Sequence, residues 1–255
     1  MDTLVLLGIA FLAAVAAGLI NAVAGGGTLV SFPVLMALGL PPVSANVTNT
    51  IGLCPGYFGG IFAQRKDLTG QKKRLTILLP LSIVGGIAGG VLLIQTGENS
   101  FRTLVPWLIL FASLLLAVQV PVKRWLQSRS GKISPGAAGG IGALILLLLA
   151  AVYGGYFGAG ASVIVIAVLG LIYDDSFTRL NVLKQAISFS INISAAVYFI
   201  FSGMAEWMIV LVMAAGSIAG GFAGGSFAGL VKPDTLRYVV VCIGITVSLI
   251  YFLLG

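Results

Sequence analysis

Histidine is absent from this chain, and charge is scarce: 8% of the residues are Asp, Glu, Lys or Arg. Without histidine the chain loses the usual proton relay and the commonest metal ligand. The two cysteines, Cys54 and Cys242, both lie in apolar runs and read as small hydrophobes. Neither a disulfide framework nor a metal site follows from them. Acidic residues number 7 and almost none is buried in an apolar run, so a membrane-embedded enzyme or assembly factor lacks its acid–base groups. No cofactor is implied. No hydrophilic stretch is long enough to fold alone, whereas a soluble domain carries about one-quarter charged residues. The excess of basic over acidic residues does not suggest nucleic acid, because its distribution follows the ends of apolar runs. The first residues, Met1-Asp2-Thr3, carry no positive charge and no clear cleavage site follows, so the start is not read as a secretory signal.

What the chain does have is apolar length. Hydrophobic residues make up 59% of it. Several runs reach about 20 residues, enough to cross a bilayer core of roughly 30 Å. In order, the expected segments are Leu4–Ala24, Thr28–Leu40, Asn46–Ala63, Leu75–Thr96 and Phe101–Val120, then Gly136–Phe157, Ala161–Tyr173, Asn181–Ser202, Trp207–Val231 and Leu236–Leu254. The stretch Asn21 to Thr50 organises the rest. Its glycine triplet, Gly25-Gly26-Gly27, breaks the first helix, since each glycine costs about 1 kcal/mol against alanine inside a helix. A short apolar segment follows and stops at Pro41-Pro42.

The halves repeat one another. Ser82 to Gly90 aligns with Ser217 to Gly225 at an offset of 135, and Asn46-Val47 with Asn181-Val182 and Phe101-Arg102 with Leu236-Arg237 at the same offset. Near the breaks the offset is 133, which pairs Gly25–Gly27 with Gly158–Gly160. Basic residues cluster in Arg65–Arg74, in the central linker and around Arg179, Lys184, Lys232 and Arg237. If Gly136–Tyr173 turns back as a hairpin, only Arg102 of the 14 basic residues lies outside. The sequence therefore predicts an all-α integral membrane protein and one membrane domain over residues 1–255. Repeats 1–120 and 136–255 are joined by a basic cytoplasmic linker, 121–135. Five segments per repeat make an inverted repeat of about ten transmembrane or re-entrant helices in the cell membrane, with both termini outside. The two Gly-broken hairpins meet near the membrane centre. The short segments are either re-entrant or cross obliquely; helices that begin near the midplane fit their length better.

Helix N-termini offer unpaired N–H groups and about half a positive charge. Two aimed at one cavity make an anion site. The backbone donors expected there are Gly26, Gly27 and Thr28 from the first break, and Gly160, Ala161 and Ser162 from the second, with Gly25 and Gly158 expected in the same substrate site. Side chains expected to assist are Asn21, Asn46, Thr48 and Asn49 from the first half, and Asn181, Lys184 and Gln185 from the second. Such polar groups are costly at membrane depth unless they pair or serve a ligand. Asn46 and Asn181 read equally well as helix caps, and Lys184 as a side chain reaching for the interface. Asp174, Asp175 and Glu206 read as solvated loop charges. The glycines in Gly85–Gly90 and Gly220–Gly225 read as close-packing positions.

The run from Gly18 to Thr50 resembles the sulfite exporter TauE/SafE family of permeases. The features that carry it are Gly25-Gly26-Gly27, Pro33-Val34-Leu35 and Ala45-Asn46-Val47-Thr48, with a second Gly-rich break at Tyr153 to Gly160. Ala159 interrupts that second break and no proline follows it. The resemblance spans essentially the whole chain and implies transport of sulfite, organosulfonates such as sulfoacetate, or related anions. The expected partners are thus a small anionic substrate and the lipid bilayer. An anion channel, or a carrier of small carboxylates, shares the same donors and stays open.

Overall fold

The computed structural model describes residues 2–23, 25–58, 68–129, 141–227 and 233–254, and among them every regular element is helical. Helix α1 (Thr3–Val23) ends at the glycine triplet. α2 (Thr28–Ala37) is followed by α3 (Pro42–Leu53), which closes in a 3-10 turn at Cys54–Gly56. α4 (Lys72–Ala117) folds back on itself at Gly97, whose φ of 72° and ψ of 164° are not helical, so residues 72–96 and 98–117 form two limbs. α5 (Gln119–Arg129) and α6 (Ile141–Tyr156) lead to the second break. α7 (Ala161–Ile172), α8 (Phe177–Ile200), α9 (Trp207–Phe227) and α10 (Pro233–Leu254) complete the chain.

Five helices among the described residues are long and apolar enough to cross a bilayer, and α2, α6 and α7 are shorter apolar helices. Their outer faces carry exposed Leu4, Trp107, Phe222 and Leu253. An apolar exterior of that extent marks a lipid contact rather than a wet surface. The chain is an integral membrane protein.

Several expected boundaries move, each for a local reason. α3 begins at Pro42, four residues before Asn46, because proline suits the first turn, where its missing N–H costs nothing. α8 begins at Phe177, capped by the Ser176 hydroxyl, which accepts from the Arg179 N–H. Asn46 and Asn181 are therefore interior to their helices and cap neither. The expected linker is helical from Pro121 to Arg129, again with its proline in the first turn; residues 130–135 lie outside the described residues, as do Arg65, Lys66, Lys132 and Lys232.

Glycine stripes set the helix contacts. A Cβ on Gly220 would collide with the Val15 carbonyl, and one on Gly18 would sit 2.5 Å from the Ser217 oxygen. α1 and α9 are therefore packed backbone to backbone and run parallel. On the other flank, a Cβ on Gly89 would meet Val152, and one on Gly85 would lie 2.5 Å from the Ala151 methyl. Limb 72–96 and α6 are packed the same way. In each pair the first helix of one half lies on a glycine-rich helix of the other.

The two ends of limb 72–96 are about 37 Å apart at 1.5 Å per residue. At one end, past the Gly97 turn, the Glu98 carboxylate accepts from the Val43 N–H at 2.8 Å and the Ser44 N–H at 3.2 Å. It satisfies orphan donors in the first turn of α3. Close by, the Ser44 hydroxyl donates to the Met204 carbonyl and the Glu206 N–H to the Thr48 hydroxyl. At the other end, Arg74 donates to Asp175 at 2.6 Å and Arg179 joins the same oxygen at 3.1 Å. The Arg74 guanidinium also stacks 4.3 Å from the Tyr173 ring centroid. Asp175 is thus not a solvated charge but the centre of an ion-pair latch. Partial burial pushes its carboxyl up, yet hydrogen bonds from Arg74, the Ser176 N–H and Arg179 hold it below the ordinary value.

Candidate functional site

The first break is built by two glycines with φ of 77° and 90°, Gly25 and Gly26. Side chains rarely adopt that left-handed region, and the chain turns sharply enough there to restart as α2. Gly27 then passes so close to α1 that a Cβ would strike the Ala17 carbonyl. Asn21, in the last turn of α1, closes the break: its Oδ1 accepts from the Gly27 N–H at 2.8 Å.

The second break differs by one position. Gly158 and Gly160 take positive φ, 82° and 73°, with Ala159 between them. Alanine resists the value that Gly26 adopts, so the second left-handed residue is displaced to Gly160. Here the closing group is Tyr153, whose hydroxyl donates to the Ala159 carbonyl at 2.7 Å. The two breaks share a shape and not a hydrogen-bond plan.

The breaks meet. Asn21, Gly25, Gly26 and Thr28 line one cavity together with Gly158, Gly160, Ala161 and Ser162. α8 adds Lys184, Gln185, Ser188 and Asn192 to the wall, and the turn after α3 adds Tyr57. The cavity encloses about 50 Å³, more than one water needs. α2 leaves it toward the Glu98 end and α7 toward the Arg74 end, since Val43 just beyond α2 reaches Glu98 and Tyr173 just beyond α7 lies against Arg74. Two helix N-termini thus approach one space from opposite directions.

Four of the N–H groups at the breaks are already engaged: Gly25 by the Ile20 carbonyl at 2.8 Å, Gly27 by Asn21, Gly158 by the Tyr153 carbonyl at 3.3 Å and Ala161 by the Gly158 carbonyl at 3.3 Å. Asn46, Thr48 and Asn49 are buried on α3, away from the cavity wall. The Asn46 amide donates to the Tyr156 carbonyl at 2.9 Å and so caps the last turn of α6. The Asn49 Oδ1 is buried with no partner among the described residues. Asn181 lines an adjoining chamber, with Lys184 and Gln185.

Tyr57, Ser188 and Asn192 were not anticipated. Asn181, Lys184, Gln185, Ser188 and Asn192 recur every three or four residues, which is one face of α8. That polar stripe on an apolar helix was the available signal. Ser188 is the most telling of them: its Oγ is buried and has no partner among the described residues. Among the described lining residues Lys184 is the only cationic side chain, and there is no carboxylate. Donors outnumber fixed negative charges, so the space suits an anion.

The sulfite exporter TauE/SafE family model matches residues 10–251. Among relatives, the "Probable membrane transporter protein YfcA" of Escherichia coli K12 is 25% identical over 247 residues, covering 95% of this chain and 88% of its own length. A "Probable membrane transporter protein" of Haemophilus influenzae is 27% identical over 250 residues, covering 96% of this chain and 95% of its own. The "Probable membrane transporter protein ORF9" of a Sinorhizobium species is 24% identical over 254 residues. No solved structure matches. Over residues 10–251, then, the chain belongs to the sulfite exporter TauE/SafE family, and it is a membrane transporter rather than an enzyme.

Proposed function

We propose that the protein is a secondary transporter of small sulfur-containing oxyanions, sulfite or organosulfonates, which bind in the glycine-break cavity. One observation carries the reading: the starts of α2 and α7 converge with Lys184, Gln185 and Ser188 on a single enclosed space that has no carboxylate among its described lining. Discontinuous helices whose N-termini point at an anionic group are a recurring device in secondary transporters. Backbone N–H groups of Gly26, Thr28, Gly160 and Ser162 supply the donors. Gln185 and the Thr28, Ser162 and Ser188 hydroxyls add hydrogen bonds. Lys184 offsets the anion's charge. Asn21, Asn46 and Tyr153 keep the breaks in shape.

Access alternates by movement of one half against the other. The chain is an inverted repeat of five segments each, and its support is the reciprocal packing of α1 on α9 and of α6 on limb 72–96. Both of those contacts are close backbone approaches at glycines, suited to small sliding displacements. The Arg74 end is cytoplasmic, because the basic residues gather there, and both termini are on the Glu98 side. A negative-inside potential then favours anion exit.

The test is uptake of labelled sulfite into proteoliposomes, with sulfoacetate, taurine, sulfate and acetate as competitors. Saturable sulfite uptake blocked by sulfoacetate and indifferent to acetate supports the reading. Acetate competing as well as sulfite makes it a carboxylate carrier, and no sulfite uptake overturns it.

A further inference from the structure

A second chamber lies between the glycine-break cavity and the basic end of the molecule. Its walls include Gln119 and Lys123 of α5, Asn181 of α8 and Arg237 of α10, and it shares Asn21 and Lys184 with the first cavity. It encloses about 160 Å³, against about 50 Å³ for that cavity. Lys123, Lys184 and Arg237 come from three different helices and line one volume, where no carboxylate is among the described residues. Basic side chains serving only the interface would extend toward headgroups and water. Arg237 instead is only 4% exposed and is held by contacts within the protein, so it adds positive potential at the wall rather than a free donor. Lys123 is held at the wall, its Nζ 5.1 Å from the Phe177 ring centroid. The Gln119 Oε1 is buried with no partner among the described residues, so the wall also holds a polar atom that the protein does not use. Clefts lined by one sign of charge and walled by low-dielectric material concentrate ions of the other sign.

We propose that this chamber is a second anion subsite, where the same class of small oxyanion is held between the basic end and the central cavity. The inference rests on the proposed function, since it takes the transported anion as its ligand. Lys123 and Arg237 attract the oxyanion into the chamber. Lys184, common to both spaces, lets the charge pass inward without an interval lacking a cation.

Lys123 tests it best, because its side chain is exposed and its removal leaves the core intact. Initial rates of labelled sulfite uptake are compared for wild type, Lys123→Gln and Lys123→Arg, in membrane vesicles of both orientations, at low and high salt. The expected result is a KM raised about three- to tenfold in Lys123→Gln, with kcat nearly unchanged, a weaker salt dependence than wild type, and recovery in Lys123→Arg. That effect appears in the vesicles that present the basic end to the label. Wild-type transport with Lys123→Gln indistinguishable from it, or a KM shift equal in both orientations, overturns the subsite and leaves the proposed function standing. Absence of sulfite uptake by the wild type overturns both.

Discussion

Ser162 faces Gly25 across the seam between the two breaks: its Oγ lies 3.1 Å from the point where a Cβ on Gly25 would stand. One residue belongs to the first half of the chain and the other to the second, 137 positions apart in the sequence. Their contact joins the two broken helices into one site. Gly25→Ala adds a methyl group against that hydroxyl and forces alanine to a φ of 77°. The backbone term alone costs about 1–2 kcal/mol. Sulfite uptake should fall by about tenfold or more at a protein yield near that of wild type. Ser162→Ala removes the hydroxyl without strain, so it should raise KM while leaving thermal stability within about 0.5 kcal/mol of wild type.

Lys184→Gln removes the one cation among the described lining residues of the cavity. A charge-assisted hydrogen bond is worth about twice a neutral one, so kcat/KM for sulfite should fall by roughly ten- to a hundredfold. Lys184→Arg should recover part of it. Equal uptake by wild type and Lys184→Gln would remove Lys184 from the site.

Glu98 is a remote cap. Its carboxylate takes two N–H groups at the start of α3 that no residue of α3 itself satisfies. Glu98→Ala should lower stability by about 1.5–3 kcal/mol, the range for hydrogen bonds to a charged group, and Glu98→Gln by less. Thermal unfolding in detergent measures both.

The Asp175 latch gives a pH dependence of definite sign. Burial pushes its folded-state pKa up, but hydrogen bonds from Arg74, the Ser176 N–H and Arg179 together hold it below the ordinary value. The latch therefore contributes its full stability above the ordinary carboxylate pKa of about 4 and loses it as pH falls through the folded value below that. Asp175→Asn should unfold at a lower temperature than wild type at neutral pH, and the gap should narrow as the solution is acidified below about pH 4. A gap that widens on acidification would contradict the assignment.

The sequence made the glycine breaks legible because their cause is local. Gly25, Gly26, Gly158 and Gly160 are all left-handed, and α2 and α7 begin at Thr28 and Ala161, where the breaks predict. Local signals also mark the starts of α3 and α8, at Pro42 and Ser176, although the polar residues Asn46 and Asn181 drew the expected boundaries four residues too far along. What the sequence could not display were pairings between distant positions. Glu98 meets Val43 across 55 residues, Asn46 meets Tyr156 across 110, and Arg74 meets Asp175 across 101. The first joins two helices of one half and the other two join segments of different halves, and helical periodicity carries no information on either kind of packing. The Gly27 N–H is a related case: it reads as a free donor until Asn21, six residues earlier, turns back on it.

The most direct test of the central claim, one cavity that opens alternately to each side, is trans-stimulated uptake. Labelled sulfite is supplied at several external concentrations to proteoliposomes holding purified protein, with and without unlabelled sulfite trapped inside. The account predicts saturable uptake that the trapped anion accelerates, and loss of that acceleration in Gly25→Ala. Uptake that rises linearly with concentration and ignores the trapped anion would mean a channel and would contradict it.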